Sequence, residues 1–211
     1  MINRKTVAES MRRRQGLRAW AAKRFRRTID SSHALGVAPN RIAQDFNAKR
    51  PDEKWAGAIT YSRTAQGWLY LSDVMDLCTR KVTGWRTRLR IDSILACTVL
   101  QAAIARRGEP CGVIMHSDGG GVYCGWRHRD LIRRYGLLVN ISGWGNCYDN
   151  AVMESFFHSL KVENIHGEPL AHAAVLCRQL FEYIEMEYNR TNRYSALEYV
   201  SPEVFAPQIA T

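Results

Sequence analysis

Two short runs rich in aromatic and β-branched residues, Trp55 to Ser62 and Trp68 to Leu77, flank a turn at Gln66-Gly67. Such runs read as the paired strands of a β-hairpin, which confines the chain to folds that contain an antiparallel sheet. If the hairpin turns within Arg63 to Trp68, Ala58 lies directly across from Asp73. Directly opposed residues share a face, with Cβ atoms roughly 5 Å apart. A slip of one residue would turn Asp73 to the other face.

A third strand follows at Lys81 to Arg88, and Asp92 then opens a helix. Its buried face is expected from Ile94, Leu95, Thr98, Val99, Ala102 and Ile104. Gly112 to His116 is a short strand that runs out at Asp118, and a helix over 126–135 is closed by Gly136. Leu137 to Ile141 is a further strand, and the Gly-rich segment Ser142 to Cys147 reads as a mobile loop. A helix from about Asp149 carries Glu154, and a last helix over 170–189 shows an apolar stripe at Leu176, Leu180 and Ile184. The order of three strands, helix, strand, helix, strand, helix, helix predicts an α/β fold of the ribonuclease-H-like kind, a mixed five-stranded sheet flanked by helices. Residues 1–50 read as a basic arm with a short helix at 4–15 and a linker, and residues 51–211 as the core with a C-terminal helix and tail.

Charge is concentrated at one end. The first 27 residues carry Arg4, Lys5, Arg12, Arg13, Arg14, Arg18, Lys23, Arg24, Arg26 and Arg27 against Glu9 alone, nearly the whole of the net +10. A basic arm ahead of a near-neutral core suits a polyanion, where charge supplies salt-sensitive affinity that does not depend on sequence. The six cysteines are dispersed with no Cys-x-x-Cys pair, which argues against a zinc knuckle or a redox motif. No secretory signal is evident, and the longest apolar run, Ile94 to Ala105, is too short to span a bilayer.

Two acids stand out. Asp118 closes a strand in His116-Ser117-Asp118, and Glu154 lies on a helix after Asn146-Cys147-Tyr148-Asp149-Asn150-Ala151. Glu154, His158 and Lys161 are spaced to share one helix face, with Asn150 a turn earlier and Val152, Phe156 and Leu160 opposite. These segments, together with Lys54 to Tyr61, Gly67 to Leu71, Asp76 to Arg80, Gly84-Trp85, Tyr188 to Arg190 and Ser195 to Pro202, closely resemble the second open-reading-frame product of bacterial insertion sequences of the IS-three type. These are transposases with a catalytic core like that of retroviral integrases.

The resemblance implies two-metal phosphoryl transfer at DNA ends with Mg²⁺ or Mn²⁺. It makes Asp118 and Glu154 the second and third carboxylates of an Asp-Asp-Glu triad, and therefore metal ligands. Lys161 would contact the terminal phosphate, and His116, His158 and Asn150 would support the ligands. Asn150 would also lie against DNA, Trp144 would stack on an unpaired base, and Arg12, Arg13, Arg14, Arg24, Arg26 and Arg27 would bind phosphates. The chain departs from the family in three places. Ala58 stands where the first Asp is expected, Gly119 where an Arg is expected, and most of an N-terminal helix-turn-helix is missing ahead of the core. Asp73 is the candidate substitute for the lost carboxylate.

The expected partners are DNA, as terminal inverted repeats and target, and further copies of the chain assembled on it. The expected location is the bacterial cytoplasm, on the nucleoid, with no membrane association. The competing readings are an inactive DNA-binding remnant, or regulatory fragment, that pairs with active transposase, and a ribonuclease acting on RNA–DNA hybrid.

Overall fold

The computed structural model describes Thr6, Glu9, Ser10, Met11, Arg13, Ile42 and residues 45–142, 150–165 and 170–209. Trp144, Arg12, Arg14, Arg24, Arg26 and Arg27, and the loop expected over Ser142 to Cys147 beyond its first residue, lie outside the described residues. Thr6, Glu9, Ser10, Met11 and Arg13 are helical, and Arg13 pairs with Glu9 at 2.9 Å on an exposed helix face.

Strands β1 (Lys54–Thr64), β2 (Gly67–Asp76) and β3 (Val82–Arg88) form an antiparallel meander. Helix α1 (Ser93–Arg106) crosses over to β4 (Ile114–Ser117), which pairs with β1 in parallel. Short helices α2 (Gly121–Cys124) and α3 (Trp126–Arg134) lead to β5 (Leu138–Ile141), parallel to β4. The sheet order is β3-β2-β1-β4-β5, the mixed five-stranded plan expected. Helices α4 (Ala151–Leu160), α5 (Ala173–Phe181) and α6 (Pro202–Gln208) complete the described chain.

Each sheet face buries its own core. On one side Trp55, Val74, Val113 and Met115 meet Leu95, Val99, Leu100, Ala103 and Ile104 of α1 and Leu131 and Ile132 of α3. On the other, Ala56, Ala58, Leu69, Leu71 and Met75 meet α4 and α5. The alternation of neighbouring strand residues between these cores is the period-2 pattern of a sheet covered on both faces. Asp92 caps α1 as expected, accepting from Leu95 N–H at 2.9 Å. The buried face of α1 is Leu95, Ala96, Val99, Leu100, Ala103 and Ile104, whereas Ile94 is exposed. That face was mis-phased because Ile94 is as apolar as its neighbours, and the capped end points it outward.

The last long helix starts at Ala173 and widens into a π-helical stretch over Glu182–Tyr188, with Leu176, Leu180 and Ile184 buried as expected. The five described cysteines, Cys78, Cys97, Cys111, Cys124 and Cys177, are free thiols. Among the described residues no helix is long and apolar enough to cross a membrane.

At Gly84 the backbone of α1 lies close against the sheet. Gly84 follows Thr83, an extra residue in the β2–β3 pairing whose hydroxyl donates to Val74 C=O at 3.1 Å. A Cβ on Gly84 would lie 2.6 Å from Val99 O and 2.8 Å from Ala103 N, both helix backbone. Gly84→Ala is therefore expected to destabilise by about 1–3 kcal/mol, since backbone cannot yield as a side chain does. At Gly57 the added carbon meets the flexible Met115 Cε, and Gly57→Ala should cost less. Urea unfolding of both variants checks the order.

Candidate active site

The site is built where β1 and β4 run side by side in parallel. Ala56 pairs with His116 and Gly57 with Ser117, so the next step along both strands puts Ala58 level with Asp118. On the other side of β1 the register pairs Ala58 with Asp73, the register expected from the hairpin turn. Asp73 and Ala58 are thus paired across β2 and β1, at roughly 4.8 Å between strands, and Asp118, the first residue past the end of β4, continues the row. Helix α4 lies over this row, since Met153, Phe156, Phe157 and Leu160 share one core with Ala56 and Ala58. Glu154 follows Met153 and is exposed at the rim.

Asp118 is half-buried, and loss of water around its carboxyl raises its pKa. The Gly120 N–H donates to Asp118 Oδ1 at 3.0 Å and works the other way, favouring the charged form. Glu154 makes no hydrogen bond or ion pair with any described residue, so its oxygens are available. His116 is fully buried beneath the site, hydrogen-bonded to Asn140 and 3.4 Å from Ser142 Oγ. Phe46 meets its ring edge-on, and Asn140 Oδ1 also accepts from Ile42 N–H, tying the chain ahead of β1 to β5. His116 is thus part of the framework joining β4 to β5.

Two expectations about α4 need correction. Its apolar stripe is Met153, Phe156, Phe157 and Leu160, with Val152 only partly buried. Lys161 does not share an exposed face with Glu154 and His158. The α-helix ends at Leu160, a π-helical stretch over Lys161–Ile165 follows, and Lys161 at their junction is buried. There Lys161 Nζ sits over the Tyr61 ring at 5.3 Å, and burial lowers its pKa to about 8. Asn150 is the N-cap residue of α4 and buried, but its side chain does not cap, and its Oδ1 has no partner among the described residues.

Asp73 is the anomaly. Its carboxyl is wholly buried, and neither oxygen has a partner among the described residues. Burial raises its pKa well above the ordinary carboxylate value. Tyr123 is buried, and its pKa is raised first by burial and then by Asp118, against the opposing effect of a hydrogen bond with Ser72. Among the described residues, however, no three His, Cys, Asp or Glu side chains are gathered as a metal cage.

A carboxyl whose pKa is raised by folding holds its proton in the native state while the unfolded chain releases it. Stability is then lost as pH rises from the ordinary value of 3.8 toward the raised one. Asp73→Val is expected to remove that loss, giving a variant more stable at neutral pH by about 1–3 kcal/mol, the cost of a buried unpaired polar group. Chemical denaturation at several pH values between 4 and 8 would read the difference, and parallel curves for the two proteins would refute it.

The Integrase core domain family matches residues 48–147, and a second family of that description matches 154–209. Transposase InsF of insertion sequence IS3A from Escherichia coli (strain K12) is 49% identical over 204 residues, which are 97% of this chain and 70% of the relative. The insertion element IS600 uncharacterized 31 kDa protein from Shigella sonnei is 36% identical over 92% of this chain and 72% of its own length. A chain of the simian T-cell lymphotropic virus intasome in complex with PP2A regulatory subunit B56 gamma superposes with a TM-score of 0.62 at 17% identity, over 84% of this chain and 60% of that one. The HTLV-2 integrase catalytic core domain in complex with magnesium gives 0.56 at 13% identity, over 76% of this chain and 99% of that one. These two likenesses establish the ribonuclease-H-like fold, and the sequence relatives establish the rest: the chain belongs to the integrase-core transposases of the IS3 family.

Proposed function

We propose that this chain serves DNA transposition, binding the ends of its element and target DNA as an assembly of several copies, with Asp118 and Glu154 as its metal-binding carboxylates. The observation that carries this reading is the row of Ala58 and Asp118 across β1 and β4, with Glu154 on the helix packed over it. Asp118 has one oxygen engaged by Gly120, and Glu154 is unpaired among the described residues. Mg²⁺ is commonly held by one or two carboxylates together with substrate phosphates, so this donor set fits one ion. A bound ion there would supply Lewis acidity at the phosphodiester and favour deprotonation of the attacking water or 3′-hydroxyl.

The chain's own residues do the rest. Asn140 and Ser142 fix His116 behind Asp118, so that β4 delivers the carboxylate at a set height. Lys161 places a cation beside Tyr61 at the edge of the site, where it would meet a terminal phosphate. Trp144, Asn150, His158 and the arm arginines Arg12, Arg13, Arg14, Arg24, Arg26 and Arg27 are proposed DNA or support residues by the same resemblance.

Ala58 favours a second reading. A methyl group ligates nothing, so a second metal ion would find no carboxylate at this position unless Asp73 supplies one. On that reading the chain is a catalytically silent DNA-binding subunit that joins active copies of the transposase. Mn²⁺-dependent nicking of supercoiled plasmid separates the two. Ala58→Asp is expected to raise the rate by on the order of a hundredfold or more, the scale of several kcal/mol of charge stabilisation. Glu154→Gln in that background should abolish it. No nicking from either form would leave the silent-subunit reading standing.

Lys161 yields a separate pH test. Its charge is lost as pH rises through about 8, so affinity for a DNA end should fall between pH 7 and 9. Lys161→Arg, which stays charged, should flatten the curve if the buried position accepts it. Fluorescence anisotropy with an end-containing duplex checks both.

A further inference from the structure

Three sequence segments that the active site does not use converge on one cavity. They are the turn Asp76 to Arg80, the flank of α4 at Ser155 and Ser159, and the C-terminal stretch around Tyr188, Tyr194 and Ser195. Together they line a cavity of about 340 Å³. Arg80 is the one charged side chain among its described lining residues.

The turn is built to present that arginine. Asp76 Oδ1 accepts from Cys78 N–H at 3.1 Å, from Thr79 N–H at 2.7 Å and from the Thr79 hydroxyl at 2.9 Å. Its Oδ2 accepts from Asp52 N–H at 2.7 Å. The carboxylate is thereby committed to backbone and hydroxyl donors, and it acts on Arg80 only through space. Arg80 itself is held at φ +58°, a left-handed conformation that a bulky residue rarely adopts. Its side chain is half-buried and makes no hydrogen bond or ion pair with any described residue. On the opposite wall Asn189 exchanges hydrogen bonds with both the N–H and C=O of Val82, which pins the Tyr188 segment beside the turn.

We propose that this cavity is a phosphodiester-binding site, in which Arg80 grips a backbone phosphate of DNA that runs along α4 past Glu154. A guanidinium offers paired donors to phosphate oxygens, and serine and tyrosine hydroxyls are the usual companions of such contacts. No acid among the described lining residues would repel the phosphate. Burial weakens the hold of Arg80 on its proton, an unfavourable environment that an anion would relieve. Ser155 follows Glu154 directly and lies about 100° round the helix, so a strand seated here passes close to the catalytic carboxylate. Lys161 does not line this cavity, and Arg80 would fix the path of the strand rather than its end.

The proposal rests on the DNA-binding reading, and its test separates the two. The full chain, Arg80→Asn and Arg80→Lys are titrated with a duplex of arbitrary sequence across a series of salt concentrations. Asparagine tolerates the left-handed conformation without the charge. Arg80→Asn is expected to bind about tenfold more weakly, with the slope of log affinity against log salt shallower by about 0.9, one phosphate contact fewer. Arg80→Lys should keep the slope. In parallel, inorganic phosphate should raise the unfolding temperature of the unmodified chain above that in chloride of equal ionic strength, and should not do so for Arg80→Asn. DNA binding with slope and affinity indifferent to Arg80 would overturn the site and leave the function proposal intact. Arg80-dependent protection by phosphate with no DNA binding would overturn the DNA assignment instead. A fall in stability of Arg80→Asn with an unchanged salt slope would make Arg80 a purely structural residue and would also overturn the proposal.

Discussion

Met153, Phe156, Phe157 and Leu160 press α4 onto the central strand at Ala56 and Ala58. Each such side chain contributes on the order of 1.5–3 kcal/mol by leaving water, and this contact sets where every polar group of the site must lie. β1 is paired on both edges and covered on both faces, so it cannot shift along its axis without breaking a ladder. Asp118 inherits its height from the parallel pairing of β4 with β1. Glu154 inherits its position from the apolar residues beside it on α4. The two carboxylates belong to distant parts of the sequence, and strand pairing together with hydrophobic packing holds them in one neighbourhood.

Two fully buried aspartates on β2 show what such a core does to a charge. Asp76 is surrounded by four donors, and it shapes the turn into β3. Asp73, three residues earlier, has no partner among the described residues. The first is ordinary structural chemistry, because a buried carboxylate is tolerated when its lone pairs are filled. The second is costly for the fold, and such costs concentrate where function or its remnant resides.

Much of this was legible in the sequence because the signals were local. The aromatic and β-branched runs with Gln66-Gly67 between them imposed the hairpin, and its tight turn imposed the pairing of Ala58 with Asp73. Asp92 and Gly136 marked helix ends correctly. The errors share a cause. Helical periodicity places side chains around an axis but not against the neighbouring elements, and Lys161 is buried where the end of the helix meets Tyr61. Met153 was passed over because Val152 looked equally apolar. The cavity at Arg80 was illegible because a left-handed arginine leaves no compositional trace, and its walls come from residues more than a hundred positions apart.

Replacing an active-site carboxylate by alanine on a buried strand ordinarily relaxes a protein, since catalytic charges are held against the preference of the fold. At Ala58 the core holds a small apolar side chain in keeping with that preference. Asp73 goes against it on the same face, one strand away, with a carboxyl that nothing in the described core requires. The one acid of this pair therefore lies on β2 and not on β1. Ala58 and Asp73 therefore bear on separate quantities, ligand geometry in one case and the cost of burying a protonated carboxyl in the other.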